Sequence, residues 1–410
     1  MVDAFDSLSL ILELIRSGQA VARPALQQAS GLGRGIVAER VNLLLDRGLI
    51  AEGRLAQANG GRAARELQIR AEAGALLVAY GSLGGFVAGV ADLSGHVLAS
   101  ECVACSFAEG PSALMGEIKA IWNRLRPQAD IWGIGVGLPA HISFDEATLL
   151  DSPSLPTSWT SYHPRRDLSP AFGAQTWVDT DDNMLALGEL RVDRTGIKGD
   201  FLYMFADLVL GAATVVDGKV YRGAQGAAGN IGHIHSEGAD DLCRCGRRGC
   251  LEAAVGGEAL IHKATMRARA GESARLMERI RDNGGLCVAD LGEAAREGDA
   301  VAVSLLTEAG RRIGLTLASA VNLFNPSAIL VGGSLAATSN LFLAALKTEL
   351  YRQSLPFVSR DLAVVPATQD VNEMGLVGAA HMVLDQIFNA QSMARWLREG
   401  RSPAVLASHL

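Results

Sequence analysis

Residues 229–252 read GNIGHIHSEGADDLCRCGRRGCLE, and four of these side chains, His233, Cys243, Cys245 and Cys250, form the most specific signal in the chain. Four soft or borderline donors fall within eighteen residues, in a segment dense in glycine. Thiolate and imidazole are the donors that tetrahedral Zn²⁺ prefers. A filled Cys₃His set leaves no position for water, so the pattern predicts a structural zinc ion rather than a catalytic one. Arg244, Arg247 and Arg248, interleaved with the thiols, favour their deprotonated form. The competing reading is three buried cysteines that cluster by chance. Cys102 and Cys105 make a second Cys-x-x-Cys without two further ligands nearby, and with Cys287 they read as ordinary core residues.

On either side of this loop, short apolar strands alternate with amphipathic helices. Segments 75–80, 86–92 and 96–102 read as consecutive strands joined by Gly-containing turns, followed by a helix over 113–125 and a buried strand over 131–137. A strand over 176–179 leads into a helix over 183–191. A second series starts at Phe201 and includes a strand over 329–331, then Gly332-Gly333 and a new helix. This predicts an α/β body with at least two sheets. Asp179-Thr180-Asp181-Asp182-Asn183 stands where a strand passes into a helix. Carboxylates there suit hydrogen bonds to hydroxyl groups or general-base work; equally, Asp181, Asp182 or Asn183 could simply cap the helix.

The first seventy residues follow a different pattern. Leu8, Leu10, Ile11, Leu14 and Ile15 recur at helical spacing up to Gly18. A second helix fits 24–29, and a third runs from about Arg34 to Arg47 with Val37, Val41, Leu44 and Leu45 inward. A hairpin with strands near 50 and 66–70 completes a winged helix-turn-helix order. Arg34, Glu39, Arg40 and Asn42 are the candidates to reach base edges of DNA, and Arg62, among glycines, could enter a minor groove or hold a phosphate. An interaction module with solvated arginines is the alternative. Residues 1–70 hold nine Arg against seven Asp and Glu, whereas the whole chain is at −7, so a slightly basic head sits on an acidic body.

With 49% hydrophobic and 20% charged residues the chain has material for packed cores, which excludes a disordered protein. Asp3, Asp6, Glu13 and Arg16 break any secretory signal, and no apolar run reaches the roughly 20 residues that span a bilayer. The expectation is a cytoplasmic protein without a membrane partner, whose six cysteines are not disulfides.

Taken together these segments resemble the ROK family of repressors and sugar kinases, in its winged-helix repressor branch. Gly133-Ile134-Gly135-Val136-Gly137-Leu138-Pro139 is similar to the family's Gly-rich strand, with Ala140 in place of its last glycine. Ser152-Pro153-Ser154-Leu155-Pro156 with Trp159 resembles its substrate-lobe loop. Gly188-Glu189 closes the segment resembling the Asn-Asp catalytic motif, and residues 229–252 resemble its zinc signature. The resemblance implies an α/β fold: a winged helix-turn-helix followed by a two-lobed ribonuclease H-like (actin/hexokinase-type) sugar-kinase fold. The implied domains are 1–72 for the head, 74–182 for the first lobe joined by a C-terminal helix over 384–410, and 183–383 for the second lobe.

By the same resemblance Asp181 matches the catalytic base, His233 a zinc ligand facing the sugar, and Glu252 a sugar-hydroxyl acceptor. Thr180 and Asn230 stand where the kinases have Asn and Glu, so the implied sugar site is Thr180, Asp181, Asn230, His233 and Glu252. The nucleotide motifs depart further. Tyr80-Gly81-Ser82-Leu83-Gly84 replaces Asp-x-Gly-Gly-Thr, and Asp207-Leu208-Val209-Leu210-Gly211 replaces a Gly-Thr-Gly loop. Phosphoryl transfer needs those cradles, so no ATP is expected and Asp181 is a vestigial base. The expected protein is a DNA-binding, sugar-responsive regulator, a homodimer or homotetramer on operator DNA. The alternatives are a sugar kinase with an atypical ATP site, and a regulator that docks a protein through an exposed face of residues 384–397.

Overall fold

A computed structural model describes residues 4–55, 65–103, 105–150, 152–193, 196–197, 199–368 and 370–399; Arg62 lies outside the described residues. Helix α1 (Ala4–Arg16) buries Leu8, Ile11, Leu14 and Ile15 of the expected stripe, and Leu12 besides, whereas Leu10 is exposed. Pro24 opens α2 (Arg23–Ser30), and Gly31, at φ 68, ends it in the left-handed region. Helix α3 (Arg34–Asp46) lays Val37, Val41 and Leu44 on α1 and α2. Strands β1 (Ile50–Leu55) and β2 (Arg65–Ile69) pair antiparallel and complete the head.

The first body sheet holds β3 (Ala75–Ser82), β4 (Gly85–Asp92), β5 (Val97–Val103), β6 (Ile131–Leu138) and β9 (Thr176–Thr180). Between them lie α4 (Pro111–Leu125), the hairpin β7 (Ile142–Ser143) and β8 (Thr148–Leu149), and α5 (Pro164–Phe172). After α6 (Asp181–Val192) comes a second sheet of β10 (Phe201–Ala206), β11 (Leu210–Val216), β12 (Lys219–Val220), β13 (Ala328–Gly332) and β14 (Ala363–Pro366). Its helices are α7 (Leu251–Val255), α8 (Gly257–Arg269), α9 (Ala274–Asn283), α10 (Val288–Arg296), α11 (Ala300–Phe324), α12 (Ser334–Thr338), α13 (Asn340–Gln353) and α14 (Pro356–Ser359). The strand orders β5-β4-β3-β6-β9 and β12-β11-β10-β13-β14 repeat one topology, three antiparallel strands followed by two parallel ones. That duplication is the two-lobed ribonuclease H-like fold. Among the described residues no helix is long and apolar enough to cross a membrane.

Two helices join the parts. Helix α15 (Val371–Ile387) packs on α6 and on β3, β4 and β6, so the chain returns to the first sheet at Val371 rather than at residue 384. Helix α16 (Ala390–Glu399) then folds onto α1 of the head. Ile387, Met393, Trp396 and Leu397 are buried, with Trp396 edge-on to Trp132. The docking face over 384–397 that the protein-docking alternative requires is therefore covered by the protein's own head and first lobe. Cys102 and Cys287, expected in the core, are exposed.

Helices α6 and α15 cross at backbone contact. A Cβ on Gly188 would lie 2.2 Å from the carbonyl oxygen of Met374, and one on Gly378 would lie 1.9 Å from that of Met184. Gly378→Val should destabilise the chain by about 3 kcal/mol. Gly116→Ala, on α4 with open space around it, should stabilise it by up to about 1 kcal/mol. Denaturant midpoints of the two variants check this pair.

Candidate functional site

A cleft with ≈ 620 Å³ of empty space, counted out to its open mouth, lies where the two sheets face each other. Its walls bring together all five residues expected at the ligand: Thr180, Asp181, Asn230, His233 and Glu252. The first lobe adds His141, Ser152 and Ser154, and the second adds the Gly226–Gly229 stretch. Such a site follows from the topology, because parallel strands β3, β6 and β9 end together and leave a crevice at their carboxyl ends.

The acids stand at the start of α6. Thr180 is the N-cap, its hydroxyl accepting the N–H of Asn183 at 3.2 Å, so capping is not the work of Asp181, Asp182 or Asn183. Asp179, one of the three carboxylates, is also committed. It accepts Thr180 N–H and the Asn183 amide on one oxygen, and Arg222 Nε at 2.7 Å on the other. Arg222 comes from the second lobe and stacks 4.0 Å over the Phe144 ring of the first. Asp181 and Asp182 remain in the cleft. Burial pushes Asp181 up to about 7. Burial, then the neighbouring Asp181 and Glu252, raises Asp182 well above the usual carboxylate range. The Oδ1 of Asp182 is sealed from solvent without a hydrogen-bond partner, and its carboxylate lies where a Cβ on Gly211 would have to be.

Across the cleft, His141 Nε2 and Asn230 Oδ1 are 2.7 Å apart, and the Asn230 amide donates to the Ala227 carbonyl. Glu252 accepts the N–H of Leu210 at 3.1 Å, holding the loop after β10. Sequence reasoning missed His141 and the Asp179–Arg222 bridge; both pair residues distant in the chain.

Behind His233 the ligand atoms of His233, Cys243, Cys245 and Cys250 all lie within 4.8 Å of one another. Cys245 and Cys250 sulfurs are 3.6 Å apart, and Cys243 Sγ is 3.6 Å from His233 Nδ1. A disulfide needs about 2.05 Å, whereas the edges of a tetrahedron around Zn²⁺ are about 3.6–3.8 Å. Donor set and spacing both fit such an ion, with Nδ1 of His233 inward. Burial, with Cys245 and Cys243 beside it, pushes the Cys250 thiol up to about 12. Against burial, hydrogen bonds from Arg247 draw Cys245 down to about 7. Gly249, at φ 76, turns the loop back where a Cβ would strike the His235 ring.

The segments expected to replace the nucleotide motifs are closely packed. Tyr80 is fully buried, its ring against Gly375 of α15 and its hydroxyl unpartnered. Asp207 Oδ2 accepts the N–H of Ser334 at 2.9 Å, at the start of α12, and Oδ1 accepts that of Leu208. Gly332 and Gly333 are glycines for packing reasons, since a Cβ on either would lie 2.3 Å from Tyr203 Oη or from the Ala206 carbonyl oxygen.

On the head, Arg34, Glu39 and Asn42 are exposed along α3. Arg40 is not available as a base contact: its Nε donates to Ser7 Oγ at 3.0 Å, its guanidinium pairs with Glu39, and its side chain is 14% exposed. Helix α1 is in turn bound to the body. Arg191, at the far end of α6, donates to Glu13 at 2.9 Å and to Asp385 at 3.0 Å, and Arg16 pairs with the same Glu13 and Asp385. His381, buried beside Arg16 and Arg191, is held down to about 3 and so stays neutral.

The raised Asp181 has a stability consequence. A carboxyl whose folded value exceeds its unfolded one contributes stability at low pH that is lost as pH rises through the folded value. The stability of wild type minus that of Asp181→Asn should therefore fall between pH 4 and pH 7 and be flat above. Urea titrations at pH 4, 5.5, 7 and 8 measure it, and a difference that rises with pH contradicts the burial of this acid.

A model of the ROK family matches residues 83–386. The xylose repressor of Caldicellulosiruptor bescii is 27% identical over 84% of this chain and 87% of its own. A glucokinase of Streptomyces coelicolor is 30% identical over 72% of this chain and 93% of its own. Among solved structures, a ROK family transcriptional regulator described as a homologue of the Escherichia coli MLC protein superposes with a TM-score of 0.79 at 24% identity, covering 95% of this chain and 99% of that one.

Proposed function

This chain belongs to the ROK family, and from that premise we propose that it is a sugar-responsive, DNA-binding transcriptional regulator, a repressor whose kinase fold serves as a sensor. One observation carries the reading. Helix α6 presents Asp181 to the cleft at its first residue and ties Arg191 to Glu13 of the head near its last, so one rigid rod of about 18 Å spans from ligand site to DNA head.

In this reading a sugar or sugar derivative enters the cleft and meets Asp181, Asn230, Glu252 and the free ring nitrogen of His233. A Zn²⁺ ion held by His233, Cys243, Cys245 and Cys250 would fix the loop that presents that ring; its chemistry is structural. Arg222 and His141 draw the lobes together, and closing moves α6 relative to α15. Through Arg191 and Asp385 that movement reaches α1, and operator affinity changes as the differential ligand affinity of the two states dictates. A homodimer or homotetramer, working in the cytoplasm, places two heads on a palindromic operator, read by Arg34, Glu39 and Asn42.

Phosphoryl transfer is the competing activity, favoured by the glucokinase relative and by a carboxyl at Asp181. The nucleotide side argues against it. The carboxylate of Asp207 already takes the Ser334 N–H that a phosphate would seek, and Asp182 puts a second acid against Gly211 in the path of the phosphoryl group. With that N–H taken and the space beside Gly211 filled, a triphosphate finds neither an open amide nor open backbone there, and phosphoryl transfer depends on such cradles.

Calorimetry of the full chain over monosaccharides, amino sugars and sugar phosphates should find a binder whose affinity falls at least tenfold in Asp181→Asn and which alters binding to selected operator DNA. Sustained ADP release with Mg-ATP, abolished by Asp181→Asn, would overturn the reading. Elemental analysis should find one zinc per chain in the wild type and none in Cys250→Ser, with sugar affinity lowered in the metal-free protein.

A further inference from the structure

Helix α3 turns Val37, Val41 and Leu44 inward, each no more than 2% exposed. Its outer face then carries Arg34, Gly35, Ile36, Glu39 and Asn42. Arg40 has withdrawn to Ser7 and Glu39, so less polar reading surface remains than the sequence suggested. Ile36 is 43% exposed. An isolated exposed aliphatic is common on any protein; the position of this one gives it meaning. It stands in the first turn of α3, where no side chain caps the helix at Gly33. Gly33 and Gly35 on either side have nothing within 4 Å of where a Cβ would stand. The isoleucine is therefore the one bulky apolar group on the turn that, in a helix-turn-helix head, enters the major groove first.

The major groove offers hydrogen-bonding edges on every base pair but a single apolar group, the C5-methyl of thymine. An aliphatic side chain brought to the groove floor loses water on both sides only when it meets that methyl; against any other base edge it strips water from polar atoms without replacing their hydrogen bonds. The net positive head and the exposed Arg34 one turn-edge away supply the sequence-independent attraction to phosphates. We infer that Ile36 is a specificity-determining residue of the head, selecting a thymine in each operator half-site by packing on its methyl group. This rests on the DNA-binding reading above and adds to it which base chemistry the first turn selects. Glu39 and Asn42, further along the same face, suit a cytosine amino group and an adenine.

The test uses the full chain and random duplex DNA carried through repeated selection, with Ile36→Val and Ile36→Ser in parallel. Wild type and Ile36→Val should enrich a motif with one strongly preferred thymine, and Ile36→Ser should lose preference at that position alone. Because the residue is exposed, thermal midpoints of the three proteins should agree. A second measurement needs no variant: replacing that thymine by deoxyuridine, which removes only the methyl, should weaken wild-type binding about fourfold per contact, the effect of burying one methyl-sized group, and leave Ile36→Ser unaffected. A motif whose thymine preference survives in Ile36→Ser, or deoxyuridine substitution without loss at every thymine, overturns this inference and leaves DNA binding intact. Failure of the wild type to enrich any duplex overturns the DNA-binding reading and this inference with it.

Discussion

The backbone contact between α6 and α15 is the constraint on which the arrangement of head, cleft and lobes depends. Gly188 lies on the Met374 carbonyl and Gly378 on that of Met184, so neither helix can carry a side chain at the crossing. Gly375 gives the same room to the Tyr80 ring, and Gly135 of β6 to the Ala379 carbonyl. Helices this close move as one body or slide; they do not bend independently. With Asp181 at one end of the pair and the Glu13–Arg16–Arg191–Asp385 cluster at the other, the geometry of the cleft and the seating of α1 are fixed by the same few glycines.

Electrostatics sets what that cleft can hold. Asp181, Asp182 and Glu252 face it, while Arg222 is paired with Asp179. Burial favours the protonated form of Asp181 and Asp182, and a protonated acid can donate to a hydroxyl oxygen as well as accept from one. A polyol, which offers both, suits such walls. Asp207, by contrast, accepts the Ser334 N–H at the start of α12.

What could be read from the sequence was local. The His233–Cys250 cluster is legible because its donors are close in the chain, and α1, α3, the strands of the first sheet, β10 and β13 because apolar runs between turn residues mark them; β11, β12 and β14 are not among the strands read from the sequence. The long-range pairs were not. Arg222 meets Asp179 from 43 residues away, His141 meets Asn230 from 89, and Arg16 meets Asp385 from 369; nothing in either local pattern marks the partner. Helix α15 runs across the expected boundary at 383; it is buried nearly all round, so no amphipathic stripe says which sheet it faces. The withdrawal of Arg40 from the reading face likewise depends on Ser7, on another helix.

The central claim is that a sugar cleft persists on a fold whose nucleotide cradle is closed by its own carboxylates. A crystal structure of the full chain soaked in a bound sugar, magnesium and millimolar non-hydrolysable ATP analogue tests it most directly. The account predicts an ordered sugar against Asp181 with Asp207 still on the Ser334 N–H and no ordered triphosphate. An ordered triphosphate that displaces Asp207 and points its terminal phosphate at the sugar beside Asp181 would contradict it.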